Sequence, residues 1–372
     1  YAGCQSQRQP QLRACVFEDM KKTIATACLT VWLCMLAVGA AADNRDPPTP
    51  PINWQSEELR DHPLVGKIWS TKKGGFVSIR EFGHRLALAR FVLLGEVHDN
   101  PDHHLWQAWA IRTISKLRGS RIVEGAPQVD VIAMEMVRVD QNVALDKFYG
   151  RDVLVPRPRK PRDFARMLKW SKSGWPDFKI YEPIIKQAMH EQIVIVPASV
   201  SRKFTRRLSK EGEAVLADAE LTRLALSKPL PEKMSKALSA EILGSHCGLI
   251  PESAIPRMNF IQRFRDATMA DTLLSVASGK GGILIAGNGH IRRDRGVPWY
   301  LEQRGVPADA IVTVKIAEVA SGQTDPKAYV DIAVGGSPAA DFVVFTPRKE
   351  RPDPCQEMRA QMSKHRKTKT KQ

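Results

Sequence analysis

Cysteine is scarce in this 372-residue chain and unevenly placed. Cys4, Cys15, Cys28 and Cys34 crowd the N-terminal end, leaving Cys247 and Cys355 for everything that follows. Those two can pair in an oxidising compartment, but nothing in the sequence shows them to be neighbours. Several signatures are missing. There is no Gly-Lys-Ser/Thr phosphate loop and no nucleophile-elbow serine. Gly287-Asn288-Gly289 is followed by His290, Ile291 and Arg292, so the third glycine of a dinucleotide fingerprint is absent. Glu96-Val97-His98 is not the helical two-histidine zinc motif, because its residues fall at a strand end. No internal repeat and no nucleic-acid-binding module is present.

What is abundant is positive charge, a formal +16. The excess sits in short runs at 157–162, 202–210 and 364–371, which read as solvated loops and a tail or as a peripheral contact with an anionic membrane. Nucleic acid is not the expected partner. Residues 20–42 read as a cleavable export signal: Met20, the basic pair Lys21-Lys22, an apolar stretch over 24–38 too short for a comfortable span, then Ala40-Ala41-Ala42. The mature protein is then expected to start at Asp43, in the periplasm or beyond, with residues 1–19 as upstream sequence; an uncleaved anchor is the competing reading. Cys34 follows Trp32-Leu33, which is not a lipoprotein pattern.

Six apolar runs predict strands, at 91–94, 131–134, 193–196, 283–286, 311–315 and 342–345. Helical patterns lie between several of them. Asn100-Pro101 is a good helix start, with Asn capping and Pro in the first turn. The expected fold is therefore α/β: a mainly parallel sheet with helices on both faces. A small helical subdomain at 211–276 is inserted before the fourth strand, so that 61–210 and 277–346 form the α/β domain. A Pro-rich linker is expected over 43–60 and a mobile basic tail over 347–372.

The strand ends carry the chemistry. Residues 91–94 run into Gly95, Glu96 and His98, and residues 283–286 run into Gly287, Asn288, Gly289 and His290. The second strand ends in Glu135, and the third is followed by Ser199 and Arg202. In open α/β sheets ligands bind outside the carboxyl ends of the strands, so these groups converge on one edge. Two carboxylates and two imidazoles there can hold a divalent metal, with Glu96, His98 and His290 as ligands. Equally, they can exchange protons, with Glu135 as the general base of a hydrolase. Two other clusters have blander accounts beside the functional ones. Ser245-His246-Cys247-Gly248 is a ligand pair or a structural cysteine beside an exposed histidine, and Trp175 is a stacking surface or core packing.

Taken together these residues resemble the haem-binding uptake family, the ChaN-like envelope proteins of bacteria. The likeness runs through the segment from Leu93 to His104, then Glu135-Met136, Asp140-Gln141, Trp175 and Tyr181-Glu182-Pro183. It continues through Ser245-His246-Cys247-Gly248, Gln262, Arg265-Asp266 and Met269-Ala270, and ends on Ala286 to His290 and Gly296-Val297-Pro298. The resemblance implies haem as ligand, held near the interface of a homodimer, and a role in haem or iron acquisition. It also implies relatives with esterase-like and metal-dependent protease-like activity. Under that likeness Trp106 and Trp109 would offer an apolar platform, Tyr181 the axial ligand, and His103, His104, Trp175 and Arg202 further contacts.

Overall fold

Strands whose both faces are covered need apolar residues in succession rather than in alternation, and each central strand here has them. The computed structural model describes residues 46–119, 129–150, 160–277 and 280–369. The expected export segment and the first half of the basic run at 157–162 lie outside these residues. Eight strands form one sheet, in the order β2-β1-β8-β7-β3-β6-β4-β5. They are β1 (Ile68–Ser70), β2 (Gly75–Phe76), β3 (Phe91–Glu96), β4 (Val129–Arg138), β5 (Val194–Ser199), β6 (Gly281–Gly287), β7 (Ile311–Glu318) and β8 (Phe342–Thr346). The pairs from β8 through β5 are parallel, while β1 pairs antiparallel with β8 and β2. All six expected strands are present. The β1–β2 ribbon was not foreseen, because its two strands are too short to show a pattern.

Alternate residues of β3 serve different cores. Val92 and Leu94 join the layer containing α1 (Ile79–Leu88), α2 (Pro101–Gly119) and, further along the chain, α5 (Phe178–His190). Phe91 and Leu93 join the opposite layer with α9 (Ile255–Val276) and α10 (Val297–Gln303). Asn100 caps α2 as expected, its Oδ1 accepting from the Asp102 backbone N–H at 2.9 Å. The remaining helices are α3 (Asn142–Phe148), α4 (Pro161–Met167), α6 (Arg202–Glu211), α7 (Asp218–Arg223), α8 (Glu232–Ser245) and α11 (Pro354–Lys369). No helix among the described residues is long and apolar enough to cross a membrane.

Three boundaries differ from expectation. The Pro-rich segment is no free linker: Pro48 O accepts from Trp109 Nε1 at 2.9 Å, and the Asp102 carboxylate accepts from the backbone N–H groups of Gln55 and Ser56 at 2.7 and 2.9 Å. The helical segment before β6 is not set apart, since α9 lays Phe264, Ala267, Ala270 and Leu273 against the sheet. The expected mobile tail is anchored. Arg351 pairs with Asp99 at 2.8 Å and with Glu318 at 2.6 Å, α11 follows, and Cys355 is disulfide-bonded to Cys247. Low hydrophobicity hid these anchors, because they are ionic and covalent rather than apolar.

Trp106 and Trp109 also leave the expected ligand platform. Both are buried in the core, with Trp109 stacked on Phe82 at a ring distance of 5.8 Å. Trp109→Ala should therefore destabilise the protein by about 3–5 kcal/mol in denaturant titrations, without abolishing ligand binding by whatever refolds.

Candidate functional site

Glycine shapes the two strand ends. A Cβ on Gly95 would run into the Asn288 side chain, and one on Gly287 would lie 3.1 Å from His98 Nε2. With glycine at both places the β3 and β6 ends close together, and their side chains meet around Glu135 at the end of the neighbouring β4. Glu135 is buried. Its Oε2 accepts from the Gly287 backbone N–H at 2.9 Å and lies 3.8 Å from His98 Nε2. Its Oε1 is 3.4 Å from His290 Nε2 and pairs with the Arg265 guanidinium. Ser199 Oγ donates to the Glu135 carbonyl at 2.6 Å. The expected convergence of Glu96, His98, Glu135 and His290 is thus what the fold produces.

Each charge in this cluster has a cause. Burial works against ionisation of Glu135, but His290 above all, with Arg265 and His98, holds its carboxyl well below the usual range. His290 is buried between two carboxylates and donates from Nδ1 to Asp266 Oδ1 at 2.5 Å. Burial opposes its charge, yet Glu135 and Asp266 push its pKa up to about 9. Glu96 sits behind His98. It accepts from His98 Nδ1 at 2.7 Å and from Gln107 Nε2 at 2.8 Å. Burial resists its charge, but His104 and His98 hold its carboxyl far below the ordinary value.

Several expected contact residues turn out to be scaffold. His104 is fully buried, with Nε2 donating to the His98 carbonyl at 3.1 Å and Nδ1 facing Gln107 Oε1 at 3.0 Å and Glu96. Both ring nitrogens meet acceptors, which fits its raised pKa. His103 accepts from the Val97 N–H at 2.8 Å and donates to Thr346 Oγ1 at 3.0 Å, and burial pulls its pKa down to about 3. Tyr181 is buried too, its hydroxyl donating to the His98 carbonyl at 2.9 Å. It braces the loop after β3 and is no accessible ligand. Among the described residues no group of three or more His, Cys, Asp or Glu is placed to hold a metal ion. Glu96 bonds His98 directly, while His290 lies on the other side of Glu135 and is paired with Asp266.

Two cavities adjoin this cluster and share Glu135, Ile261 and Arg265 in their walls. The first, of about 520 Å³, is lined by Trp175, Val200, Arg138, Arg202 and Arg206. The second, of about 600 Å³, is lined by His98, His246, His290, Leu238, Ile242 and Met258. Both have the size of ligand pockets. Trp175 meets the His98 ring edge-on at 4.8 Å, so two expected contacts, Trp175 and Arg202, do lie on a cavity wall. His98 is the exposed imidazole of the cluster, at 34%. Asp266 and the arginines Arg138 and Arg206 had been given no role. Asp266 was findable, since it shares a buried helical face with Ala270 and Leu273 at spacings of four and seven residues. The arginines were not, because only folding shows which of many cations line a cavity.

The profile of the haem-binding uptake family (Tiki superfamily, ChaN) matches residues 82–301. Among solved structures, ChaN of Campylobacter jejuni, described as binding haem cofacially, matches with a TM-score of 0.55 at 22% identity, over 74% of this chain and 95% of that one. The type III effector HopBA1 has a TM-score of 0.37 at 12% identity, over 73% and 93% of the two chains. A mutant of the erythromycin esterase EreC in its open conformation has a TM-score of 0.35 at 12% identity, over 82% and 99%. No curated protein matches the chain.

The ionic cluster has a signature in stability. With the His290 pKa raised from 6.5 to about 9 by folding, its stabilising contribution is complete below pH 6.5 and is lost as pH rises through about 9. Denaturant unfolding should therefore show stability falling between these values, and His290→Asn should flatten that part of the profile. A His290→Asn profile with the wild-type slope would show that the imidazole is not charged in the folded protein.

Proposed function

We propose, from the fact that the chain belongs to the haem-binding uptake family, that it binds haem reversibly as an exported protein serving haem or iron acquisition. The observation that carries this reading is the pair of adjoining cavities, which share Glu135, Ile261 and Arg265 in their walls. Haem needs apolar walls for its macrocycle, cations for its propionates and a donor for its iron. Leu238, Ile242, Met258 and Ile261 give one cavity its apolar wall, and Trp175 and Val200 serve the other. Arg202 and Arg206 line the 520 Å³ cavity with no carboxylate partner among the described residues, whereas Arg265 is neutralised by Glu135. The residues present therefore fit an amphiphilic dianion. When bound, haem supplies its iron and nothing in the pocket is asked to make or break a covalent bond.

Export is part of the proposal. It is supported by the expected signal at 20–42 and by the Cys247–Cys355 disulfide, a bond that persists in oxidising compartments. The metal-dependent hydrolase reading has less support, since no group of three or more His, Cys, Asp or Glu among the described residues is placed to hold an ion.

Titrating the purified protein with ferric haem should give a saturable shift of the Soret band. Arg202→Glu combined with Arg206→Glu should weaken binding by roughly tenfold or more, while an equivalent charge reversal at exposed Lys236 should change little. Absence of a saturable shift in the wild-type protein would remove the haem reading.

A further inference from the structure

Of the three basic runs in the sequence, the one at 202–210 is described throughout, as helix α6. The helix is held by its apolar side. Leu208 is buried, and Phe204 packs on Phe264 of α9 with ring centroids 5.5 Å apart. The other side is left to cations. Lys203, Arg206, Arg207 and Lys210 are exposed at spacings of three, four and seven residues, so they share one face of a helix about 15 Å long. Arg207 pairs with Glu211 at 3.3 Å. Arg202, Lys203, Arg206 and Lys210 have no carboxylate partner among the described residues. Arg257 extends the charge at the far end of the helix, donating to the Ser209 and Lys210 carbonyls at 2.8 and 2.7 Å. At the near end Arg202 bonds the Ser173 carbonyl, next to exposed Lys172.

This face surrounds an opening. Arg202 and Arg206 are exposed and also line the 520 Å³ cavity, together with Arg138. Arg138 closes β4, and the helical turns after it expose Val139 and Val143, four residues apart. Unpaired cations beside exposed aliphatic groups make an interfacial surface: the cations meet lipid phosphates and the apolar groups enter the headgroup boundary. A nucleic acid calls instead for aromatic platforms on which bases stack. The aromatic ring in the cavity wall, Trp175, is turned against His98.

We propose that α6, with Arg257 at one end and Lys172, Val139 and Val143 at the other, is a docking face for an anionic lipid surface. Docking sets the opening of the 520 Å³ cavity against the bilayer, where an amphiphilic ligand is dissolved. The docking itself stands on charge and exposure; its use in passing haem between bilayer and pocket rests on the haem-binding reading.

The test uses the full chain and two kinds of vesicle, phosphatidylcholine alone and phosphatidylcholine mixed equally with phosphatidylglycerol, with bound protein read by co-sedimentation. Binding to the anionic vesicles should exceed binding to the neutral ones by roughly tenfold or more and fall with added salt. The neutral vesicles register any contact through the apolar stretch at 24–38. Lys203→Glu with Lys210→Glu should lose roughly tenfold or more, at about fivefold per basic residue. Lys72→Glu with Lys73→Glu makes the same charge change in the β1–β2 turn, at the far edge of the sheet, and should lose little. Val143→Asp should lose several-fold with the cations intact.

Equal binding to both vesicles, wild-type binding by the Lys203 and Lys210 double variant, or tighter binding to a duplex oligonucleotide than to anionic vesicles would overturn the docking face. The double variant should titrate with ferric haem in solution as the wild type does, and should take haem from preloaded anionic vesicles several-fold more slowly. A wild-type protein that docks on vesicles but binds no haem would remove the haem reading and leave the docking face standing.

Discussion

The buried carboxylate of Glu135 is the constraint on which the rest of the site depends. A lone ionised carboxylate in a protein interior is prohibitively unfavourable, so its charge must be met from several directions. Here the Gly287 N–H comes from β6, Arg265 and the Asp266-paired His290 from α9 and the β6 end, and His98 from the loop after β3. Meeting that demand draws three strand ends and one helix together, and the same carboxylate then forms part of the wall between two cavities. The glycines follow from this. A side chain at 95 would displace Asn288, and one at 287 would press on the His98 ring.

The contacts within this cluster hold it charged and in place. Glu135 has its two oxygens committed to a backbone N–H, a guanidinium and an imidazole. His290 is flanked by two carboxylates and holds its proton tightly. Such a cluster is well made to stay charged and to stay still, which suits a wall that positions a ligand.

Much of this was legible in the sequence. Continuous apolar runs announced six of the eight strands, and the repeated Gly-plus-His endings placed His98 and His290 on one rim although they are far apart in the chain. What the sequence could not give was direction. His103 and His104 sit beside His98 in the motif, yet the first helical turn aims both inward, to Thr346 and to Glu96. Trp106 and Trp109 are the sort of residues a flat macrocycle would use, but their helix faces the core. Tyr181 was chosen from a short list of tyrosines, and only its hydrogen bond to the His98 carbonyl shows that it is already occupied. The anchored C-terminal segment escaped notice because ionic pairs and one disulfide leave no hydrophobic trace.

The histidines of the motif blocks divide by a single rule: what the second ring nitrogen meets. When both nitrogens find partners, as in His103, His104 and His290, the ring is scaffold, whether neutral as in the first or charged as in the last. When one nitrogen is fixed by an acceptor and the other is left open to a cavity, the ring is a donor waiting for an acid. His98 and His246 both line the larger cavity with one nitrogen engaged, by the Glu96 carboxylate and by the Ile242 carbonyl.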